Sequence, residues 1–165
     1  NSYISIYYFY LLMTLLERLK IPAIVISCVL LIIACQSANT NRILEKNSPY
    51  NYQDTLVNLD IAISEYNYRI IHKSEIGSAI RERGDKNFPL STVISFCNIT
   101  HAKEMMLINE QLINDMPCII TVRESNSGVI IGTRLMDENV SDRDQASFAA
   151  RINDDLKKII EATVL

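Results

Sequence analysis

Residues Thr92–Val122, TVISFCNITHAKEMMLINEQLINDMPCIITV, decide how this chain folds. The stretch reads as strand, short helix, strand. In Ser91–Cys97, β-branched content and alternation mark a strand with Thr92, Ile94 and Phe96 on one face and Val93, Ser95 and Cys97 on the other. Asn98 ends that strand, and Thr100 is placed to cap a short helix that turns Ala102, Met105 and Met106 to the sheet. Asn114-Asp115 and Pro117 break the chain again. Cys118–Glu124 follows as a strand with Cys118, Ile120 and Val122 on its apolar face. Ser125-Asn126-Ser127-Gly128 signals a hairpin into a return strand over Val129–Met136.

Working outward, Tyr52, Leu56, Leu59, Ile63 and Tyr66 recur at the spacing of one helix face, and Asn67 stands where that pattern stops. Tyr68–His72 predicts a strand. Ser74 is placed to cap a second helix over Glu75–Arg83, with Ile76 and Ile80 facing inward and Gly84 ending it. Downstream, Ser141 and Asp144 have capping-box spacing. Phe148, Ile152, Leu156, Ile159, Ile160 and Thr163 then form a broad apolar stripe on a final helix. Such a stripe must be buried on the sheet or on a second copy, so a homodimer is expected. The order α-β-α-β-α-β-β-α over residues 50–165 is that of a small two-layer α+β domain, a mainly antiparallel sheet packed by helices.

The run FCNITHAKEM, then Met116-Pro117-Cys118 opening a strand before a hairpin, resembles the family called domain of unknown function 302, over about residues 50–163. The motif positions that the resemblance implies are Cys97, Asn98, Ala102, Pro117 and Cys118. Ile99 stands where the family has proline, and Met116 where it has leucine. The family has no settled activity, so the resemblance implies a fold without a mechanism.

At the amino-terminal end, Ile21–Cys35 is an apolar run too short for a comfortable membrane span, with Arg18 and Lys20 just before it. Its close, Ile32-Ile33-Ala34-Cys35, resembles the lipobox of bacterial lipoproteins. That resemblance implies a signal peptide over residues 13–34, cut before Cys35, whose thiol and new amino group carry acyl chains such as palmitate. Several chains anchor stably where one does not. Gln36, where lipoproteins kept in the inner membrane often have Asp, implies the outer membrane and a domain facing the periplasm. The alternative is an uncleaved inner-membrane signal anchor. Residues 1–12 carry four Tyr and no charge and are expected to be a mistranslated extension, with Met13 as the start. Residues 35–49 are then the lipidated cysteine and a polar tether.

Chemistry, if any, is expected at Cys97, Cys118 and His101. Three readings stand open. An exported domain permits a disulfide, which would add about 3 kcal/mol in the chain-entropy model, although alternation turns Cys97 away from the apolar face. Two small buried thiols filling core positions need nothing beyond packing. A redox or soft-metal site would draw on Cys97, His101 and Cys118 with Met105, Met106 and Met116, a donor set suited to copper(I) or zinc. Neither P-loop, G-x-G-x-x-G, G-x-S-x-G nor H-E-x-x-H occurs. The two histidines are His72, read as a surface residue, and His101, and the adjacent pairs Asp137-Glu138 and Asp154-Asp155 read as solvated surface. A formal net charge of −3 lacks the basic footprint that nucleic-acid binding requires. The expected function is a lipid-anchored periplasmic binding or accessory module without recognisable catalysis. Thiol redox or copper/zinc handling is the alternative, and ligand and cofactor are left open.

Overall fold

A computed structural model describes residues 42–165. Five strands, β1 (Ile43–Ser48), β2 (Arg69–Ser74), β3 (Ser91–Cys97), β4 (Cys118–Ser125) and β5 (Gly128–Arg134), form one sheet in the order β1-β5-β4-β3-β2. Every neighbouring pair is antiparallel. Helices α1 (Tyr52–Glu65) and α4 (Arg143–Val164) pack on one face of it. The shorter α2 (Ile76–Glu82) precedes β3, while α3 (Ile99–Ile108) and a 3-10 turn (Glu110–Asp115) join β3 to β4. This is the expected α+β layer structure with one strand more than the sequence reading assigned.

The core follows the two periodicities. Thr92, Ile94 and Phe96 of β3, Ile120 and Val122 of β4 and Ile131 of β5 are buried on the helix-covered face. Leu59, Ala62 and Ile63 of α1 and all six stripe residues of α4 close over them. The α4 stripe is therefore buried within the domain itself, and it leaves no apolar face of that helix to suggest a homodimer. Asn67, at φ 60°, takes the left-handed conformation that ends α1. The hairpin turns through Asn126-Ser127, with Gly128 at φ 112° where a side chain would be strained.

Several boundaries differ from expectation. The tether placed over 35–49 does not reach residue 49, because Ile43–Ser48 pairs with β5 as an edge strand. Its polar composition hides an alternation in which Leu44, Lys46 and Ser48 are half-buried and Ile43, Glu45 and Asn47 exposed. An edge strand tolerates such polarity because only part of it is covered. Ser74 belongs to β2, so Glu75 opens α2 without a side-chain cap. Ile76 is exposed and Gly77 is the buried position. A Cβ there would stand 2.5 Å from the Ser91 nitrogen, so α2 meets the β3 entry backbone to backbone. The cap of α4 is Asp142, whose carboxylate accepts from the Gln145 N–H at 2.8 Å. Cys35 and the signal segment lie outside the described residues.

Candidate functional site

The β4–β5 ladder runs from Ser125↔Gly128 to Ile120↔Thr133 and ends there. Beyond that point β4 stays with β3 as far as Phe96↔Cys118, and β5 stays with β1 as far as Ile43↔Arg134. The sheet thus parts into two halves at one end. The Thr133 hydroxyl donates to the Ile119 carbonyl at 2.6 Å where the ladder stops. Asn153 of α4 accepts from the Met136 N–H at 2.7 Å and donates to the Met136 carbonyl at 3.0 Å, so the chain leaving β5 is drawn onto the helix and away from β4. A third bond, to Glu138 at 2.7 Å, completes the amide's partners.

The parting opens a cleft of about 580 Å³, within the range of small-molecule sites. Ala102 and Met105 of α3 and Phe148, Ile152 and Leu156 of α4 give it an apolar floor. Cys97, Asn98 and Met116–Ile119 line the β3–β4 side, and Thr133–Met136 the β5 side. Arg42, Arg134, Asn114 and Asp115 also line it.

Asn98, not Thr100, caps α3. Its Oδ1 accepts from the N–H groups of Thr100 (2.9 Å) and His101 (3.2 Å), while its Nδ2 donates to the Asn67 carbonyl at 3.0 Å. One side chain thereby joins the α1–β2 turn to the start of α3 and sets His101 beside Tyr68. The Tyr68 hydroxyl donates to Asp155 Oδ2 at 2.9 Å and lies 3.2 Å from His101 Nδ1. Because its single proton goes to Asp155, the imidazole must donate from Nδ1, which leaves Nε2 as the other ring atom for a ligand. Tyr68 also meets Phe96 edge-on, with ring centroids 5.4 Å apart. Burial, then the Asp155 hydrogen bond and charge, hold the Tyr68 phenol well above its ordinary range.

The two cysteines are free. Register explains why no disulfide forms: Phe96 is the partner of Cys118, so Cys97 turns to the opposite face of the sheet. Both nevertheless border the cleft, since it reaches both faces where the sheet parts. Burial pushes both thiols up. Cys118 rises to about 11, through burial first and then the neighbouring Cys97 and Asp155. The raised values favour the neutral thiol, the less nucleophilic form. Among the described residues no group of three His, Cys, Asp or Glu side chains is arranged to hold a metal ion.

Sequence reasoning named His101 and the cysteines but missed Tyr68, Asp155, Arg42 and Arg134. Asp155 belongs to a pair read as solvated surface. Asp154 does face solvent, paired with Lys158 at 2.6 Å, whereas Asp155 turns inward to Tyr68. The adjacency that separates the two on a helix was the available signal. Arg42 was hidden in the supposed tether. His72 is exposed.

The family model described as domain of unknown function DUF302 matches residues 30–163. The chain belongs to the DUF302 family. A solved structure, described as an uncharacterized conserved protein DUF302 from Bacillus stearothermophilus, aligns with a TM-score of 0.67 at 16% identity. The alignment covers 73% of this chain and 97% of that one, and at this identity it speaks for the fold alone. No curated protein matches the chain. The five DUF302 motif positions quoted above, Cys97, Asn98, Ala102, Pro117 and Cys118, all line the cleft, although the stretch from Ala102 to Pro117 separates the two groups in sequence.

Proposed function

We propose that this DUF302 domain is a non-catalytic binding or accessory module that takes a small, largely apolar ligand in the cleft at the parted end of the sheet. The observation that carries this reading is the convergence of all five motif positions on a single apolar-floored cleft. Concave, mostly apolar sites with a few converging polar groups are the usual form of small-molecule sites. Asn98, Thr133, Tyr68 and His101, with Arg42 and Arg134, are among the polar groups that line this cleft.

The test is direct. 4-Phenylbutan-1-ol titrated into the full chain should shift the backbone amide resonances of Cys97, Cys118 and Thr133. Ala102→Phe, which fills the floor, should abolish the shifts. The milder Ala102→Leu should weaken them and serves as the check should the larger side chain unfold the domain. Shifts scattered elsewhere, or unaffected by both variants, would overturn the reading. Stoichiometric copper or zinc lost in Cys97→Ser would replace it with soft-metal handling.

The lipobox-like Ile32–Cys35 supports a further part of the proposal: an acylated Cys35 holds the domain at the outer membrane, facing the periplasm. A fatty-acid analogue fed to cells should label the protein, and label persisting in Cys35→Ser would disprove the anchor. A homodimer would need a surface other than the α4 stripe.

A further inference from the structure

The polar groups of the cleft are unevenly distributed, and that distribution bears on what the ligand carries. Arg42 and Arg134 enter from the β1–β5 half of the parted sheet. The Leu135 N–H donates to the Arg42 carbonyl at 2.7 Å, and Ile43 is the register partner of Arg134. Successive register positions alternate in face, so the two arginines come from opposite faces of the same strand pair and meet the cleft from either side. Neither guanidinium has an ion-pair partner among the described residues.

Arg81, Arg123 and Arg151 are paired with Glu124, Glu45 and Glu104. Arg69, Arg83 and Arg143, also without an ion pair among the described residues, lie outside the cleft, so what distinguishes Arg42 and Arg134 is that they are unpaired and line it. Among the described residues, two acidic side chains also line the cleft. Glu45 is engaged with Arg123 at 3.0 Å, and Asp115 comes from the loop entering β4, in the other half of the sheet. Among the described residues no lysine lines the cleft. The β5 side therefore offers two unpaired guanidiniums beside an apolar floor. A guanidinium binds a carboxylate through two parallel hydrogen bonds, a match in shape as well as charge.

We infer that the cleft takes an amphipathic monocarboxylate, its apolar body on the α3–α4 floor and its carboxylate between Arg42 and Arg134. This rests on the cleft being a ligand site and adds the charge and orientation of the ligand. It also assigns Arg42 and Arg134 as specificity-determining residues.

Two probes of one skeleton separate the claims. 4-Phenylbutyrate and 4-phenylbutan-1-ol differ only at the terminal group, so the ratio of their dissociation constants on the full chain reports the carboxylate. The acid should bind at least tenfold more tightly. Arg134→Gln and Arg42→Gln should each bring that ratio toward one. Arg83→Gln, an exposed charge outside the cleft, should leave the ratio unchanged and controls for net charge.

Equal affinities for acid and alcohol would overturn this inference and leave the cleft reading intact. Binding of neither probe would overturn both. A tighter fit for 4-phenylbutylamine would assign the polar recognition to Asp115 and refute the role of the arginines. An acid preference that survives both arginine substitutions would do the same.

Discussion

The two ends of the β4–β5 ladder are built from the same two strands and behave in opposite ways. At the hairpin end the ladder closes on Ser125↔Gly128, and the neighbouring loop is fastened to it. Glu124 accepts from the Leu90 N–H at 2.7 Å and from Arg81 at 3.2 Å, its own N–H donates to the Leu90 carbonyl at 2.8 Å, and Arg81 donates to the Phe88 carbonyl at 2.6 Å. Val122 and Ile131 are register partners there, both fully buried. At the other end the strands part, Asn153 draws the exit of β5 onto α4, and free thiols, amides and two arginines without an ion pair among the described residues gather round the opening. A strand pair can thus be a rigid frame along one half and a binding site along the other. The choice at the open end is made by side chains that take over main-chain hydrogen bonds.

The largest effect should come from the closed end. Ile131→Ala removes a fully buried side chain from a packed layer and should cost about 3 kcal/mol, within the usual span for such truncations. Urea unfolding measures it, and binding of 4-phenylbutan-1-ol to the folded fraction should be unchanged. Altered binding would show that the two ends are coupled, breaking the division drawn above.

At the open end, Asn153→Ala strands both main-chain groups of Met136 and should cost about 2 kcal/mol. Unlike Ile131→Ala it should also disturb the cleft, seen as shifted amide resonances for Thr133 and Cys118. An Asn153→Ala protein with native cleft resonances would show that the strands part without its help.

The smallest effect is in pH dependence. Cys118 is held at about 11 against an ordinary 9.0. A raised value means that the folded state binds the proton more tightly than the unfolded chain. The contribution is therefore complete below about pH 9 and is lost as pH rises from there through about 11. Tyr68, also raised, extends the loss to more alkaline pH. Stability should fall across this window, and Cys118→Ala should remove part of the fall. An unchanged slope in that variant would mean that the thiol is more open to water than its place beside the cleft implies.

Much of the architecture was legible because two periodicities carry it. Alternation in Ser91–Cys97 and the stripe from Phe148 to Thr163 each identify a buried face directly, whereas the DUF302 motif positions were implied by the resemblance to that family. β1 was not legible. An edge strand covered on part of one side keeps a polar sequence, and ILEKNS looks like a tether until β5 is there to pair with it. The inward role of Asn153 was equally hidden, since a buried amide has no periodic signature and is explained only by the carbonyl and N–H that it meets.

By itself, then, the amino-acid sequence determined most of the element types and their buried faces, because these follow from local spacing of apolar and turn-forming residues, while the family was indicated by the resemblance of the FCNITHAKEM and Met116-Pro117-Cys118 motifs. Only the tertiary structure decided that Cys97 and Cys118 remain free, that Tyr68 joins His101 to Asp155, and that the sheet parts into a cleft. Each of these depends on register between strands and on contacts across 33 to 87 residues of sequence, which no local pattern specifies.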